Sequence, residues 1–199
     1  MLHPEQSDHA PLRASGAFPI LSPASVASLD LTKTNLRENL HQKWRNRLNG
    51  AEKSAVHVSH SELPADPHHW LLLNEQAQQK TRGYRNWPVS VTLTYATRFP
   101  KLTRLFTATL DDIPVAAMLF LRHCRMASYH IGYTSAEGRA LSAHNLLLWR
   151  AMLWLRDNGH TVLELGTIAT DTQPGLARFK LGTGAQARQL GGTWIWPRT

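Results

Sequence analysis

The stretch that decides the fold is residues 126–165, MASYHIGYTSAEGRALSAHNLLLWRAMLWLRDNGHTVLEL. Its opening residues, 126–133, have the β-forming, half-apolar composition of a strand. A polar turn follows, and Ser142 stands where a helix N-cap belongs. Residues 146–155 are apolar nearly all round, broken by Arg150. A helix of that kind is buried on most faces. Gly159 stands where a helix ends in the left-handed conformation, and residues 161–165 form a short apolar strand. Strand, buried helix and strand in this order make a crossover, and a crossover returns a parallel neighbour.

Upstream, residues 105–110 and 114–121 predict two strands around Asp111 and Asp112, a tight turn. With residues 126–133 they form an antiparallel meander. The class is therefore α/β (α+β): one mixed central sheet with a meander, one strand–helix–strand crossover and flanking helices. A strand is predicted over 25–31 and a helix over 35–53, where Leu36, Leu40, Trp44 and Leu48 recur at i+4. Asn35 with Glu38 resembles a capping box. The other faces of that helix carry Arg37, Lys43, Arg45, Arg47 and Lys53. A weaker helix is predicted over 69–81. Residues 82–100 carry Gly83, Pro88 and Pro100 and predict a loop with one short strand at 89–95. A helical turn over 174–180 and a last strand over 192–196 close the series. Residues 1–24 show no period and are rich in Pro, Ser, His and Ala. They predict an extended or disordered arm, leaving 25–199 as one domain.

The formal net charge of +8 sets up a field that attracts anions, whether phosphate, nucleic acid or an anionic co-substrate. The single cysteine, Cys124, excludes an intrachain disulfide and a cysteine-based zinc site. The histidines lack metal-ligand spacing, so no metal is expected. The apolar run at 146–155 is far short of the ~20 residues of a membrane span. No basic-then-apolar leader opens the chain. These features predict a cytoplasmic protein.

The element order is that of the GNAT acyltransferase fold, and local patterns resemble its FemAB-like branch, which includes the peptidoglycan bridge aminoacyltransferases. Lys43 to Leu48 with Ala51, Glu52 and Lys53 resembles the basic helix that opens such a domain. Tyr129, His130, Ile131, Gly132 and Tyr133 resemble the central strand. Leu141, Ser142 and Asn145 to Trp149 resemble the start of the next helix. Gly159 with Leu163, Glu164, Leu165 and Gly166 resembles the "G…(Y/L)DLGG" stretch. Gly175 to Lys180, with Gly182 and Gly184, resembles the family's glycine-leucine, phenylalanine-lysine segment. The sequence departs in having Glu164 for the usual Asp and Thr167 for the second Gly. It has room for one such domain, where bridge-forming members carry two.

What the resemblance implies is transfer of an acyl group to a primary amine by direct attack, with acetyl-CoA or another acyl-CoA as co-substrate. The donor would lie where two neighbouring strands splay, residues 129–133 and 161–165. Gly138, Arg139, Ala140, Ser142 and Asn145, in the turn into the buried helix, would meet its phosphates. The usual loop R/Q-x-x-G-x-G/A is matched only in its Gly-x-Ala half, since Ser135 replaces the leading residue. Lys180 would stabilise charge near the transferred group, beside Phe179. Glu164 is a candidate base with a pKa raised by burial, or a partner for a cation. Tyr129 and Tyr133, on one strand face, are candidate proton donors to a leaving thiolate. Lys43, Trp44 and Arg45 are candidate contacts to the acceptor or to tRNA.

Two further readings stand beside this one. An aminoacyl-tRNA-dependent transferase of FemAB type would act on a cell-wall precursor or peptide. A non-catalytic module on the same fold would bind anions or nucleic acid. Pairing of sheet edges would make a homodimer.

Overall fold

The computed structural model describes residues 9–21 and 23–196. Residues 1–8 and 22 of the expected arm, and 197–199 of the expected domain, lie outside the described residues. In chain order the elements are α1 (Ala10–Ala14), β1 (Phe18–Leu21), β2 (Ser25–Asp30), α2 (Gln42–Glu52), β3 (His57–Ser61), α3 (Trp70–Arg82) and α4 (Val89–Arg98). Then come β4 (Thr103–Leu110), β5 (Ile113–His123), β6 (Met126–Thr134), α5 (Ala136–Ala140), α6 (Ala143–Asp157), β7 (Val162–Ile168), α7 (Pro174–Leu181), β8 (Gln186–Gln189) and β9 (Thr193–Ile195).

The main sheet runs β3-β4-β5-β6-β7-β2-β8. Its first four strands are antiparallel and contain the expected meander, and β6–β7 is the expected parallel pair closed by the α5–α6 crossover. Asp111 and Asp112 both take positive φ, which closes the β4–β5 hairpin in the sense its twist requires. Helix α6 buries nine of its residues. One side lies on the sheet, against Met118, Phe120, Leu163 and Leu165, and α2 packs on it too. Gly159, at φ 80°, ends it. On the other face of the sheet a smaller apolar cluster gathers Leu71, Leu72, Ala96, Leu105, Leu119 and Ile131 under α3 and α4.

Several expectations change. Residues 89–95 form helix, not strand. Their alternation of β-branched residues looks like a strand, yet Val89, Thr92, Leu93 and Ala96 share one helical face. The tertiary contacts choose that face: Val89, Leu93 and Ala96 pack into the second cluster, and Thr92 Oγ1 meets His130 Nε2 at 2.7 Å. The helix expected over 35–53 begins only at Gln42. Asn35 does bond Glu38, side chain to side chain at 2.8 Å, but the backbone at 35–40 turns tightly. Arg45 binds the carbonyls of Glu38 and Leu40, and the His41 amide donates to the Gly182 carbonyl. Long-range contacts thus displace the helix start. The last strand, β9, pairs with β1 outside the main sheet. Trp196 donates to the Ser15 carbonyl and Trp194 stacks near His9, so these tryptophans hold the N-terminal segment.

Candidate active site

The parallel pair β6–β7 is short. Met126, Ala127 and Ser128 face Val162, Leu163 and Glu164, and pairing ends there. Beyond it the strands are no longer paired, as the resemblance implies. The divergence has a local cause on each strand. On β6 the register with β5 slips at His130, an extra residue, so Phe120 faces Tyr129 while Leu119 faces Ile131. On β7 the register with β2 slips beside Gly166, which takes φ 77°.

The bulge also moves side chains. Simple alternation predicts Tyr129 and Tyr133 on one face. The extra residue puts Tyr129 on the α6 side, against Phe120, and Tyr133 on the α3 side, against Trp70. Tyr129 lies over Gly132, where any Cβ would strike its hydroxyl. Burial, and then the charge of Glu75, pushes its pKa well up, so Tyr129 stays protonated at neutral pH.

Lys180 reaches into the gap from α7. It is 5% exposed, and its Nζ donates to the Thr167 carbonyl at 2.8 Å. Burial alone lowers its pKa to about 8. Lys180, Tyr129, Phe179, Met118, Leu148 and Leu165 line a crevice too narrow for water. The structure thus brings together Lys180, Phe179 and Tyr129, and their side chains fill the gap.

The remaining expected residues are placed differently. Glu164 alternates with Leu163 and Leu165 and so points away from the α6 core. It is half-buried and meets Arg188 at 3.5 Å. It is a cation's partner, not a buried base in the crevice. Trp44 is core: its Nε1 donates to the Phe179 carbonyl at 3.1 Å, and its ring is where a Cβ on Gly182 would fall. Lys43 is exposed, and Arg45 is bound to the 38 and 40 carbonyls. These three leave the helix in different directions and make no common patch.

The turn at 135–142 is a closed helical turn. The Gly138 amide donates to Ser135 Oγ, and the amides of Arg139, Leu141, Ser142, Asn145 and Leu146 bond within the turn. A Cβ on Gly138 would come 2.5 Å from the Val115 carbonyl, so packing on β5 requires the glycine. Ser142 takes φ 54° and makes no side-chain cap. Of the residues expected to receive a donor's phosphates, Gly138, Arg139, Ser142 and Asn145 therefore have their amides occupied as folded. Arg139 and Ala140 are exposed, and Asn145 Nδ2 is buried with no hydrogen bond among the described residues.

Two groups carry no signal in the sequence. Glu75 on α3 is 3% exposed. Its carboxylate accepts from Tyr84, Asn86 and Gln78, and Gln78 also reaches the Gly132 carbonyl. Burial pushes the Tyr84 phenol up to about 12. His144, in the first turn of α6, meets the Tyr133 carbonyl at 2.9 Å and packs toward Phe179. Burial drops it to about 4, so it is neutral. Glu75 is hidden by its polar neighbours in NEQAQQK, and a lone histidine has no pattern to betray it.

Residues 35–186 match the acetyltransferase (GNAT) domain family. The chain belongs to that family, and its chemistry class is acyl transfer. FemX shares the fold with a TM-score of 0.78 at 13% identity, over 96% of this chain and 69% of FemX. The C-terminal domain of a putative lysylphosphatidylglycerol synthetase from Agrobacterium fabrum follows, with a TM-score of 0.66 at 14% identity, over 94% of this chain and 63% of that one. A tandem GNAT protein from the clavulanic acid biosynthesis pathway gives 0.57 at 14% identity, over 95% of this chain and 61% of that one. This chain thus spans about two thirds of the length of such structures. No curated protein matches it by sequence. Among the described residues no helix is long and apolar enough to cross a membrane, and no three His, Cys, Asp or Glu side chains are grouped to hold a metal.

Proposed function

We propose that the protein is a cytoplasmic N-acyltransferase that joins an activated acyl group to a primary amine at the crevice between β6 and β7. The observation that carries this is the meeting of Lys180, Tyr129 and Phe179 where those strands part. Lys180, as an ammonium, offsets charge gathering on the acyl oxygen. Its low-dielectric surroundings make that charge count for more than in water. Tyr129 holds its proton at neutral pH and gives it to the leaving group. The attacking amine sheds one proton as its nitrogen bonds to carbon and the acyl–leaving-group bond breaks; that proton restores the Tyr129 phenol, so the exchange is neutral overall. An acyl chain enters by displacing the Phe179 and Tyr129 side chains.

The family supports an acyl-CoA donor. The closed turn at 135–142 favours the second reading, an aminoacyl ester carried on tRNA, because the Gly138, Arg139, Ser142 and Asn145 amides already have partners within the turn. The likeness of fold to FemX and to a lysylphosphatidylglycerol synthetase domain points the same way. Thiol release from acyl-CoA in the presence of an amine panel supports the first donor. Transfer of radiolabelled amino acid from charged tRNA supports the second. Neither product with either donor would leave a non-catalytic module.

A further inference from the structure

A second cluster lies at the other end of α6. Trp154 projects there from the helix, about 9 Å along the axis from Leu148 of the crevice. The guanidinium of Arg104, on β4, sits 4.5 Å from the centre of its ring, and that of Arg122, on β5, sits 5.0 Å away. Arg104 faces Phe120 in the β4–β5 register, two residues from Arg122, so both arginines stand on the α6 face of the sheet. His60 closes one side, its ring 5.6 Å from that of Trp154.

The charges there are unbalanced. Arg122 Nε meets His160 Nε2 at 3.1 Å and its Nη1 donates to the Lys101 carbonyl, both neutral partners. The Arg104 side chain makes no hydrogen bond among the described residues, and its Nε is buried. No carboxylate is ion-paired with either arginine among the described residues. Glu62 acts on Arg104 only at a distance, and Arg122 repels it. Attraction to the Trp154 ring offsets part of that repulsion and satisfies no donor. The Nη donors of Arg104 and the Nη2 of Arg122, which no hydrogen bond engages among the described residues, lie against one ring and match the oxygens of a phosphate.

We propose that Arg104 and Arg122, held by Trp154, form an anion site for a phosphate group, separate from the acyl-transfer crevice. The phosphate comes from an RNA backbone or from a small phosphorylated molecule.

The test is equilibrium binding to the full chain by tryptophan fluorescence and calorimetry, with pyrophosphate and a short single-stranded RNA as probes. Wild type binds at least one probe saturably. Arg104→Gln weakens it tenfold or more, and the Arg104→Gln, Arg122→Gln pair abolishes it. Arg104→Lys, which keeps the charge but loses the fork, weakens it to an intermediate degree. The melting temperature of unliganded Arg104→Gln does not fall, since one of two like charges is removed, and the double variant, which also loses the Arg122 bonds to His160 and Lys101, is compared as folded protein. If the RNA is the source, its binding weakens steeply with salt and the double variant flattens that slope by one to two phosphate contacts. If a small molecule is the source, pyrophosphate binds and the RNA does not compete. No saturable binding of either probe, or equal affinity in the folded double variant, overturns the proposal.

Discussion

Lys180 carries the charge at the crevice, and its burial has two consequences with different signs. In the role proposed for it, its ammonium is lost as pH rises through about 8, and turnover should fall on the alkaline side of that value. Stability moves the other way. The folded pKa of about 8 lies below the ordinary 10.5. Between those values the unfolded chain binds more protons, so stability rises with pH in that window. Lys180→Met therefore flattens the rise in stability between pH 8 and 10.5, and denaturant melts across that range read it directly. Tyr129 makes a second prediction at this scale. Tyr129→Phe keeps the ring and its packing but removes the proton donor. The rate falls by about 10²-fold for a poor leaving group, as is typical of general acids, and much less for an activated one. Equal losses for both leaving groups would assign Tyr129 to packing.

At the scale of elements, α7 and the turn before α6 position the crevice. Trp44 ties α7 to α2 through its ring and its bond to the Phe179 carbonyl. Trp44→Ala costs about 3–5 kcal/mol, seen as a large drop in the denaturation midpoint. Gly138→Ala drives a methyl against the Val115 carbonyl and costs about 1–3 kcal/mol. Its loss appears in stability first, with donor affinity in the folded protein little changed. An effect confined to donor affinity would restore the phosphate-cradle role read from the sequence. The same elements show what a sequence can display. Residues 126–165 are legible because an all-round apolar helix between two short strands has few other solutions. Residues 89–98 are not, because β-branched alternation and a helical face coexist in VSVTLTYATR and only tertiary packing chooses. Strands β3 and β8 escape notice because HVSHS and QARQ are polar edge strands, largely exposed. The opposed faces of Tyr129 and Tyr133 follow from one bulge, a feature of register that side-chain alternation does not carry.

At the scale of the molecule, we propose two chemistries at two places on the sheet. The crevice at the β6–β7 divergence gathers a lysine, a phenol and apolar walls. The far end of α6 gathers two guanidinium groups with no ion-paired carboxylate among the described residues. Net charge announces anion binding without a location, whereas the Phe179–Lys180 segment marks the crevice in the sequence itself. The decisive experiment is the rate of acyl transfer to an amine by wild type and Lys180→Met across pH, with melting followed in parallel. Wild-type turnover should fall as pH rises through about 8. Lys180→Met should lose about 10²-fold or more, the scale of one charge-stabilising donor, while melting no lower than wild type at neutral pH. A folded Lys180→Met protein with wild-type turnover and the same pH profile would contradict the role assigned to Lys180.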